Sequence, residues 1–245
     1  MVPNDLSLDR MQFQGLTGPL RLPQCATLQL YPTDCDRKTL EPPLGSWRGV
    51  VKWLEDKLFG LFLLVAAGPL MILVALAIKF DSRGPIFFVQ KRFGYNNEVI
   101  DVFKFRTMHV SCCDPGGAKR TIKDDPRVTS VGRVLRWLSL DELPQLLNVI
   151  RGDMSLVGPR PHAVAMMVEN RPYHEAVAEY PLRHCVKPGI TGWAQVNGLR
   201  GEVDSLAKAR ARVAYDLDYI DHWSLWLDLR ILLRTFFLVI YEGAY

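Results

Sequence analysis

The chain has 245 residues, of which 49% are hydrophobic and 23% are charged. This composition is ordinary for a globular protein and excludes disorder over the whole chain. The net charge is only +4, so the total charge does not mark the protein as a nucleic-acid binder.

The basic residues are unevenly placed along the chain. Residues 91–136 contain ten Lys or Arg against five Asp or Glu. Such a stretch suits the phosphates of nucleic acid, lipid headgroups or nucleotide-sugars, and a solvated surface explains the charge equally well. The five cysteines show no Cys-x-x-Cys spacing, so neither a disulfide framework nor a structural zinc site is indicated.

Residues 1–48 are the first predicted unit, a polar, proline-rich N-terminal extension. The segment has six prolines and lacks the basic start and apolar core of a signal peptide. We expect it to be poorly ordered or loosely docked.

Residues 49–80 are predicted to be embedded in a membrane. The 21 residues from Leu58 to Ile78 contain no charge, and a helix of that length reaches about 31 Å, enough for a bilayer core of about 30 Å. A buried soluble helix is a weak alternative, because such helices are rarely apolar on all sides. Pro69 should kink the helix at its middle. Basic residues flank both ends and favour the cytoplasmic side. A re-entrant hairpin that turns at Gly68-Pro69 explains both the kink and the two basic flanks. A full crossing is left open beside it at about equal weight.

Residues 81–245 are predicted to form a small mixed α+β domain. The segment "PIFFVQKRFGYNNEVIDVFKF" is typical of two strands around a turn at Gly94–Asn97. The segment "VGRVLRWLSLDELPQLLNVIRGD" is predicted to be helical, with Gly152 as its stop. Val203–Tyr219 has a second helical pattern.

The C-terminal "HWSLWLDLRILLRTFFLVIY" predicts an amphipathic helix. Its charged residues disfavour a membrane span, so we expect the helix to lie in the membrane interface with Trp223 and Trp226 at headgroup depth. A helix docked on the core is the alternative.

The stretch "SLDELPQL" places Asp141 beside Glu142, with Pro144 two residues later. If Ser139 were the N-cap, Pro144 would interrupt the helix; with Asp141 as the N-cap, Pro144 falls in the first turn. The helix dipole favours an ionised acid at this end. Such an acid could cap the helix, bind a metal or attack phosphorus.

Four basic residues are candidates for binding phosphate. Lys104 and Arg106 alternate along a strand, so we expect their side chains on one side. Arg136 precedes Asp141 by five residues, and Arg160 lies in the rigid sequence "GPRP". Together with the membrane segment, they indicate a phosphate substrate at a bilayer surface.

Several long motifs, all between Trp47 and Thr235, resemble those of one family. They are "KFRTM", "DDPRVTSVGRVLRWLSLDELPQLLNVIRGDMSLVGPRP", "VKPGITGWAQVNGLRGE" and "WSLWLDLRILLRT". The chain resembles the bacterial sugar transferases called monotopic phosphoglycosyl transferases. The stretch Ile190–Gly201 is most similar to the undecaprenyl-phosphate glucose phosphotransferases of exopolysaccharide synthesis.

The resemblance implies a reaction and a set of catalytic roles. A sugar-1-phosphate passes from a UDP-sugar to polyprenol phosphate, with release of UMP. Asp141 corresponds to the family's nucleophile, which forms a covalent phosphosugar intermediate, and it is also the expected contact of the Mg²⁺ cofactor. Glu142 corresponds to an acid that assists proton transfer or positioning. Four residues correspond to phosphate and nucleotide contacts: Lys104, Arg106, Arg136 and Arg160. Asp228 matches a recurrent acid without an assigned role.

The resemblance also implies a location. The family's membrane segment is a re-entrant hairpin bent at a proline, which leaves the catalytic domain on the cytoplasmic face of the bacterial inner membrane. Membrane lipid is then a further partner, and formation of a homo-oligomer is left open. Many relatives have Ser where this chain has Gly68, and many larger ones carry several transmembrane helices before this unit; we expect this chain to lack that module.

Two other functions remain as alternatives. A membrane-surface scaffold that has lost catalysis would keep the fold without turnover, although the intact acids and basic residues disfavour it. A nucleic-acid binder would use residues 91–136, and the absence of a known binding motif disfavours that function.

Overall fold

A computed structural model describes residues 46–113, 125–201 and 203–241 of the chain. Its helices are α1 Ser46–Asp81, α2 Ser130–Trp137, α3 Gln145–Arg151, α4 Tyr173–Ala176, α5 Trp193–Val196, α6 Leu206–Asp221 and α7 Leu225–Tyr241. Its strands are β1 Phe87–Phe93, β2 Val99–Phe105, β3 Ser155–Val157, β4 Met167–Val168, β5 Arg171–Pro172 and β6 Gly189–Thr191. The mixed α+β prediction is confirmed. Most of the predicted N-terminal extension, residues 1–45, lies outside the described residues and includes Cys25 and Cys35.

Helix α1 runs for 36 residues and continues through Pro69. It is long and apolar enough to cross a membrane, and only 11% of its most apolar window is buried. A stripe with helical spacing packs on the rest of the protein; its members include Gly60, Leu64, Ala67, Met71, Val74 and Ile78. The opposite face exposes large apolar side chains such as Phe62 and Leu73.

Both ends of α1 contact the rest of the chain. Near the first end, Arg48 Nη2 donates to the carbonyl oxygen of Trp223 at 3.4 Å. Near the other end, Ile78 is buried in a cluster with Phe105 and Leu135. The two ends therefore lie on the same body of the protein. The re-entrant hairpin and the division into units at residues 48 and 80 stay predictions.

The predicted hairpin of two strands is confirmed. β1 and β2 pair antiparallel, with Phe88 opposite Lys104 and Arg92 opposite Ile100. Asn96 and Asn97 have φ of 52° and 60° in the turn, a conformation that asparagine adopts more readily than most residues. Partners across a ladder share a face of the sheet, so Arg92 and Lys104 are presented on the same face.

The predicted helix around Asp141 is broken, and this prediction was partly wrong. α2 ends at Trp137, Ser139 takes a left-handed conformation with φ 56°, and a single 3-10 turn spans Leu140–Glu142 before α3 begins. A left-handed residue cannot continue a right-handed helix. The predicted stop is confirmed, because Gly152 ends α3 with φ 99°.

A short parallel pair, β3 and β6, fixes the chain that follows the second helix. Ser155 pairs with Gly189, and Val157 pairs with Thr191. A Cβ atom on Gly189 would lie 2.1 Å from the backbone nitrogen of Gly158. The two backbones are therefore too close for any side chain at position 189. The pairing brings Arg160 beside Ile190, whose carbonyl oxygen accepts from Arg160 Nη1 at 3.3 Å.

The C-terminal helix α7 both docks on the core and presents an apolar face. Asp228 and Ile231 are completely buried, whereas Trp226 is 73% exposed. The placement of Trp223 at headgroup depth was wrong, because Trp223 is buried and its Nε1 donates to Asp228 Oδ2 at 3.1 Å. The core alternative therefore describes one face of α7, and the interfacial position of its exposed face stays a prediction.

Asp228 joins the first and last helices of the described chain. Lys52 Nζ donates to its Oδ2 at 2.7 Å, and the Tyr219 hydroxyl donates to its Oδ1 at 2.9 Å. With the Trp223 indole as a third donor, the buried carboxylate is fully partnered. The recurrent acid thus has a structural explanation, which is to attach α7 to α1.

Candidate active site

Asp141 and Glu142 lie in the 3-10 turn between α2 and α3, and neither caps a helix through its side chain. The N-cap position of α3 is Pro144, so the prediction of Asp141 as the N-cap was wrong. Ser139 does not form a capping box either, because its side chain makes no capping hydrogen bond. Its hydroxyl instead accepts from Arg200 Nη2 at 2.6 Å.

Glu142 is held by two cations. Its Oε1 accepts from Lys104 Nζ at 2.9 Å, and its Oε2 accepts from Arg160 Nη1 at 3.0 Å. Arg160 Nη2 makes a further hydrogen bond to Oε1. Burial alone would raise the pKa of Glu142, but the charges of Arg160 and Lys104 hold that pKa well below its ordinary value. Glu142 is therefore a fixed anion, which favours the positioning role over proton transfer.

Asp141 presents a carboxylate that no side chain or backbone donor of the described residues engages by a hydrogen bond. Burial raises its pKa above the ordinary value of 3.8, and the neighbouring Glu142 adds to the rise. Three cations oppose that shift, namely Lys104, Arg136 and Arg160. Asp141 is thus a partly desolvated carboxylate in a basic surrounding, which is compatible with a nucleophile towards phosphorus.

Arg136 reaches this cluster from the last turn of α2. Its Nε donates to the Thr107 hydroxyl at 2.8 Å, which fixes the side chain while leaving its terminal nitrogens for another acceptor. The structure therefore brings Arg136, Lys104 and Arg160 together around Asp141, and their predicted binding of phosphate stays a prediction.

Arg106 lies elsewhere. Its two terminal nitrogens donate to the carbonyl oxygens of Arg83 and Ser82, each at 2.9 Å, and only 3% of the residue is exposed. β2 ends at Phe105, so the strand alternation that grouped Arg106 with Lys104 does not extend to it. A substrate-binding role for Arg106 stays a prediction, and its contacts show it anchoring the segment after α1.

Arg92 belongs to the cluster and was missed from the sequence. Its Nη1 donates to the Pro161 carbonyl oxygen at 2.6 Å. Burial and the charge of Arg160 lower its pKa to about 10, while Glu142 and Asp141 act in the opposite direction. The signal was present in the ladder, since Arg92 and Lys104 share a face of the hairpin.

A buried ion pair supports the backbone of Arg160. Arg183 Nη2 donates to the carbonyl oxygen of Arg160 at 2.8 Å and lies 2.6 Å from Asp216 Oδ2. Arg183 is fully buried, so forming the ion pair carries a desolvation cost that its hydrogen bonds must offset. Arg183 therefore acts on the site through Arg160.

The residues suit Mg²⁺ only in part. Among the described residues, no group of three or more His, Cys, Asp or Glu is arranged to hold a metal. Mg²⁺ is, however, commonly held by one or two carboxylates together with substrate phosphates and water. Because Glu142 is taken up by its cations, Asp141 is the carboxylate in this cluster that fits that role.

Comparison of the chain with models of known protein families shows which family it belongs to. A model of the bacterial sugar transferase family matches residues 47–242, which includes every residue of the cluster. The chain belongs to the bacterial sugar transferase family. The family expected from the sequence motifs is confirmed.

Curated members of the bacterial sugar transferase family are closely similar to the chain. The undecaprenyl-phosphate glucose phosphotransferase of Komagataeibacter xylinus is 52% identical over 193 residues, which cover 79% of this chain and 36% of that protein. The UDP-glucose:undecaprenyl-phosphate glucose-1-phosphate transferase of Escherichia coli K12 is 48% identical over 197 residues, 80% of this chain and 42% of that protein. The exopolysaccharide production protein PSS of Rhizobium leguminosarum bv. phaseoli is 48% identical over 186 residues, 76% of this chain and 93% of that protein.

The chain thus matches about two fifths or less of the length of the first two relatives. It matches nearly all of the third. The similarity therefore covers the sugar transferase unit that the three proteins share.

Proposed function

We propose that the protein transfers a sugar-1-phosphate, glucose-1-phosphate first among the candidates, from a UDP-sugar to undecaprenyl phosphate, as the first membrane step of exopolysaccharide synthesis. The names of two relatives give the substrate class, and the name of the third gives the process. The observation that carries the proposal is the Asp141 carboxylate, which lacks a hydrogen-bond donor among the described residues and lies in the field of three cations.

The reaction divides into two displacements at phosphorus. In the first, an oxygen of Asp141 attacks the phosphorus that bears the sugar. The bond from this phosphorus to the oxygen of the UMP moiety breaks, and UMP leaves with the electron pair. In the second, an oxygen of undecaprenyl phosphate attacks the same phosphorus, and the bond to Asp141 breaks. The carboxylate is regenerated, and covalent catalysis has split one exchange into two steps.

The cations have separate tasks in this scheme. Lys104 and Arg160 are fixed by Glu142, so they are preorganised to offset negative charge on the diphosphate. Arg136 keeps its terminal nitrogens for a phosphate oxygen, because Thr107 takes only its Nε. Glu142 is a positioning residue here. Mg²⁺, which Asp141 would hold, supplies further charge compensation when bound.

We infer further that α1 enters the cytoplasmic face of the inner membrane and returns to it. Two observations support a re-entrant path for this continuous helix: both ends of α1 contact the same body of the protein, and basic residues flank both ends. The apolar face of α7, with Trp226 73% exposed, would lie in the interface beside it. Cysteine labelling at positions 47 and 81 tests this topology, because a hairpin leaves both reactive from the cytoplasmic side, whereas a span protects one of them.

A screen of UMP release tests the reaction and the sugar. The full chain is incubated with undecaprenyl phosphate, Mg²⁺ and each of several UDP-sugars, with UDP-glucose expected to be the best donor. No release with any donor would contradict the proposal and would favour the inactive scaffold.

A further inference from the structure

A cavity separate from the Asp141 cluster lies between the first half of α1 and the body of the protein. Its volume is about 410 Å³, within the range of ligand sites. Its apolar wall includes Trp53, Val149, Met154 and Val186. None of the residues that surround Asp141 lines it. The cavity is therefore a second candidate binding site, and it has no part in the proposed reaction.

Two lysines stand together at this cavity. A Cβ atom on Gly152 would lie 3.6 Å from Lys57 Nζ and 3.7 Å from Lys187 Nζ, so the two nitrogens are at most 7.3 Å apart, the sum of those distances. Both lysines line the cavity. A charge-assisted N–H···O bond to a phosphate oxygen is about 2.7–2.9 Å long. Two ammonium groups no farther apart than this pair can therefore both reach oxygens of one phosphate.

The other charges that line the cavity are already compensated. Lys52 Nζ lies 3.1 Å from Asp56 Oδ1 and 2.7 Å from Asp228 Oδ2. Lys57 donates only to neutral carbonyl oxygens, those of Val149 and Ile150. Lys187 is exposed and makes no hydrogen bond or ion pair with a described residue. The uncompensated charge of the site is thus positive and belongs to Lys57 and Lys187.

The cavity is continuous with the surface that α1 would place in a bilayer. Val50 and Trp53 line it and are also 62% and 53% exposed, only a turn or two before the uncharged run begins. Trp47, 70% exposed, precedes them. Exposed tryptophans at the end of an apolar helix are typical of headgroup depth. A ligand could therefore reach the cavity from the membrane with its charged end at the lysines.

We propose that this cavity binds one anionic phospholipid, with an acyl chain against the apolar wall and its phosphate between Lys57 and Lys187. An acyl chain would cover the apolar surface that the cavity wall otherwise exposes to water. The lysine pair selects a headgroup with net negative charge over a zwitterionic one. The lipid would hold the first half of α1 on the body of the protein.

Native mass spectrometry of the full chain in detergent tests the site, with dipalmitoyl phosphatidylglycerol as the probe and dipalmitoyl phosphatidylcholine as the zwitterionic comparison. We expect one phosphatidylglycerol per chain to be retained. Lys187→Glu should weaken its binding about tenfold, since one cation near a lipid phosphate becomes an anion. Lys79→Glu is the matched control at the far end of α1, where Nζ contacts only the Gly84 carbonyl oxygen at 3.3 Å, and its binding should match that of the unaltered chain.

A second variant tests the cavity itself. Val186→Trp fills space from a partly buried position, so it should abolish retention of the lipid while leaving the thermal unfolding midpoint near that of the unaltered chain. The site would be overturned if phosphatidylcholine bound equally well, if Lys187→Glu and Lys79→Glu behaved alike, or if folded Val186→Trp kept its lipid. A chain that retained no lipid at any ratio would likewise overturn it and would leave the cavity to another occupant, such as residues 1–45. None of these results bears on UMP release.

Discussion

Arg160 forms a two-pronged ion pair with Glu142, in which each terminal nitrogen of the guanidinium donates to a different carboxylate oxygen. Lys104 Nζ completes the arrangement at 2.9 Å. The adjacent Asp141 has no such partner among the described residues. Two neighbouring acids therefore differ in state: Glu142 organises the cations, and Asp141 is left available for chemistry.

Replacing Glu142 by Gln should damage both the fold and the reaction. Removal of one partner from a largely buried ion pair leaves the cations uncompensated, and we expect the variant to be destabilised by about 3 kcal/mol. UMP release should also fall, because Lys104 and Arg160 lose their shared anchor. Thermal unfolding and a UMP assay on the folded fraction measure the two effects.

Asp101→Asn is the matched control for this experiment. Asp101 pairs with Lys91 at 3.0 Å, but the two side chains are 51% and 68% exposed, so its loss should cost under about 1 kcal/mol. Equal effects of the two substitutions would contradict the importance assigned to Glu142.

The pH dependence of the reaction should report Asp141. Attack requires the ionised carboxylate, so kcat/KM should fall as the pH drops through a pKa raised above 3.8. Lys104 is the cation that most strongly opposes this rise. Lys104→Met should therefore raise the pKa further and move the acid limb to higher pH. A pH profile of kcat/KM checks the shift, and an unmoved limb or a shift to lower pH would count against the assignment.

Arg106→Lys separates anchoring from substrate binding. A lysine can reach one of the two carbonyl oxygens that Arg106 binds, so we expect a loss of stability of about 1–3 kcal/mol. The KM for the UDP-sugar should not change in the folded fraction. Arg160→Lys is the comparison, and it should lower activity because the paired hydrogen bonds to Glu142 are lost. A raised KM with normal stability in Arg106→Lys would instead support the binding role expected from the sequence.

The sequence predicted the pieces of the site better than their conformation. The sequence motifs pointed to Lys104, Arg136, Arg160 and the acid pair, and the structure places these residues together. Their roles in substrate binding and catalysis stay predictions. The turn at Ser139 was not predictable, since its left-handed conformation is tied to a contact with Arg200, 61 residues away. Asp228 was noticed without a role for the same reason: two of its partners, Lys52 and Tyr219, come from other helices.

Acid should weaken the fold through His184. Burial, with the charge of Arg183, lowers the pKa of His184 to about 3 in the folded protein. Below about pH 6.5 His184 binds a proton in the unfolded chain but stays neutral in the folded chain. The free energy of unfolding therefore falls by up to about 1.4 kcal/mol per pH unit between pH 6.5 and 3. His184→Phe keeps an aromatic ring beside Tyr180 and removes the titration. Its thermal midpoint should therefore drop less between pH 7 and pH 5, and an equal drop would contradict the role of His184.

Asp141→Asn isolates the chemistry of the carboxylate from its place in the fold. Asn keeps the size of the side chain, and no hydrogen bond to a described residue is lost. The free energy of unfolding should therefore change by no more than about 0.5 kcal/mol, the range of an ordinary surface substitution, and thermal unfolding measures this. UMP release should be abolished, because an amide cannot replace the attacking carboxylate.

The most direct measurement is the intact mass of the full chain after incubation with Mg²⁺ and UDP-glucose, without undecaprenyl phosphate. A gain of one hexose phosphate is expected, located on the peptide that carries Asp141 and removed when undecaprenyl phosphate is added. Folded Asp141→Asn should gain no mass. UMP release by folded Asp141→Asn at the rate of the unaltered chain, or the same adduct on that variant, would contradict Asp141 as the nucleophile.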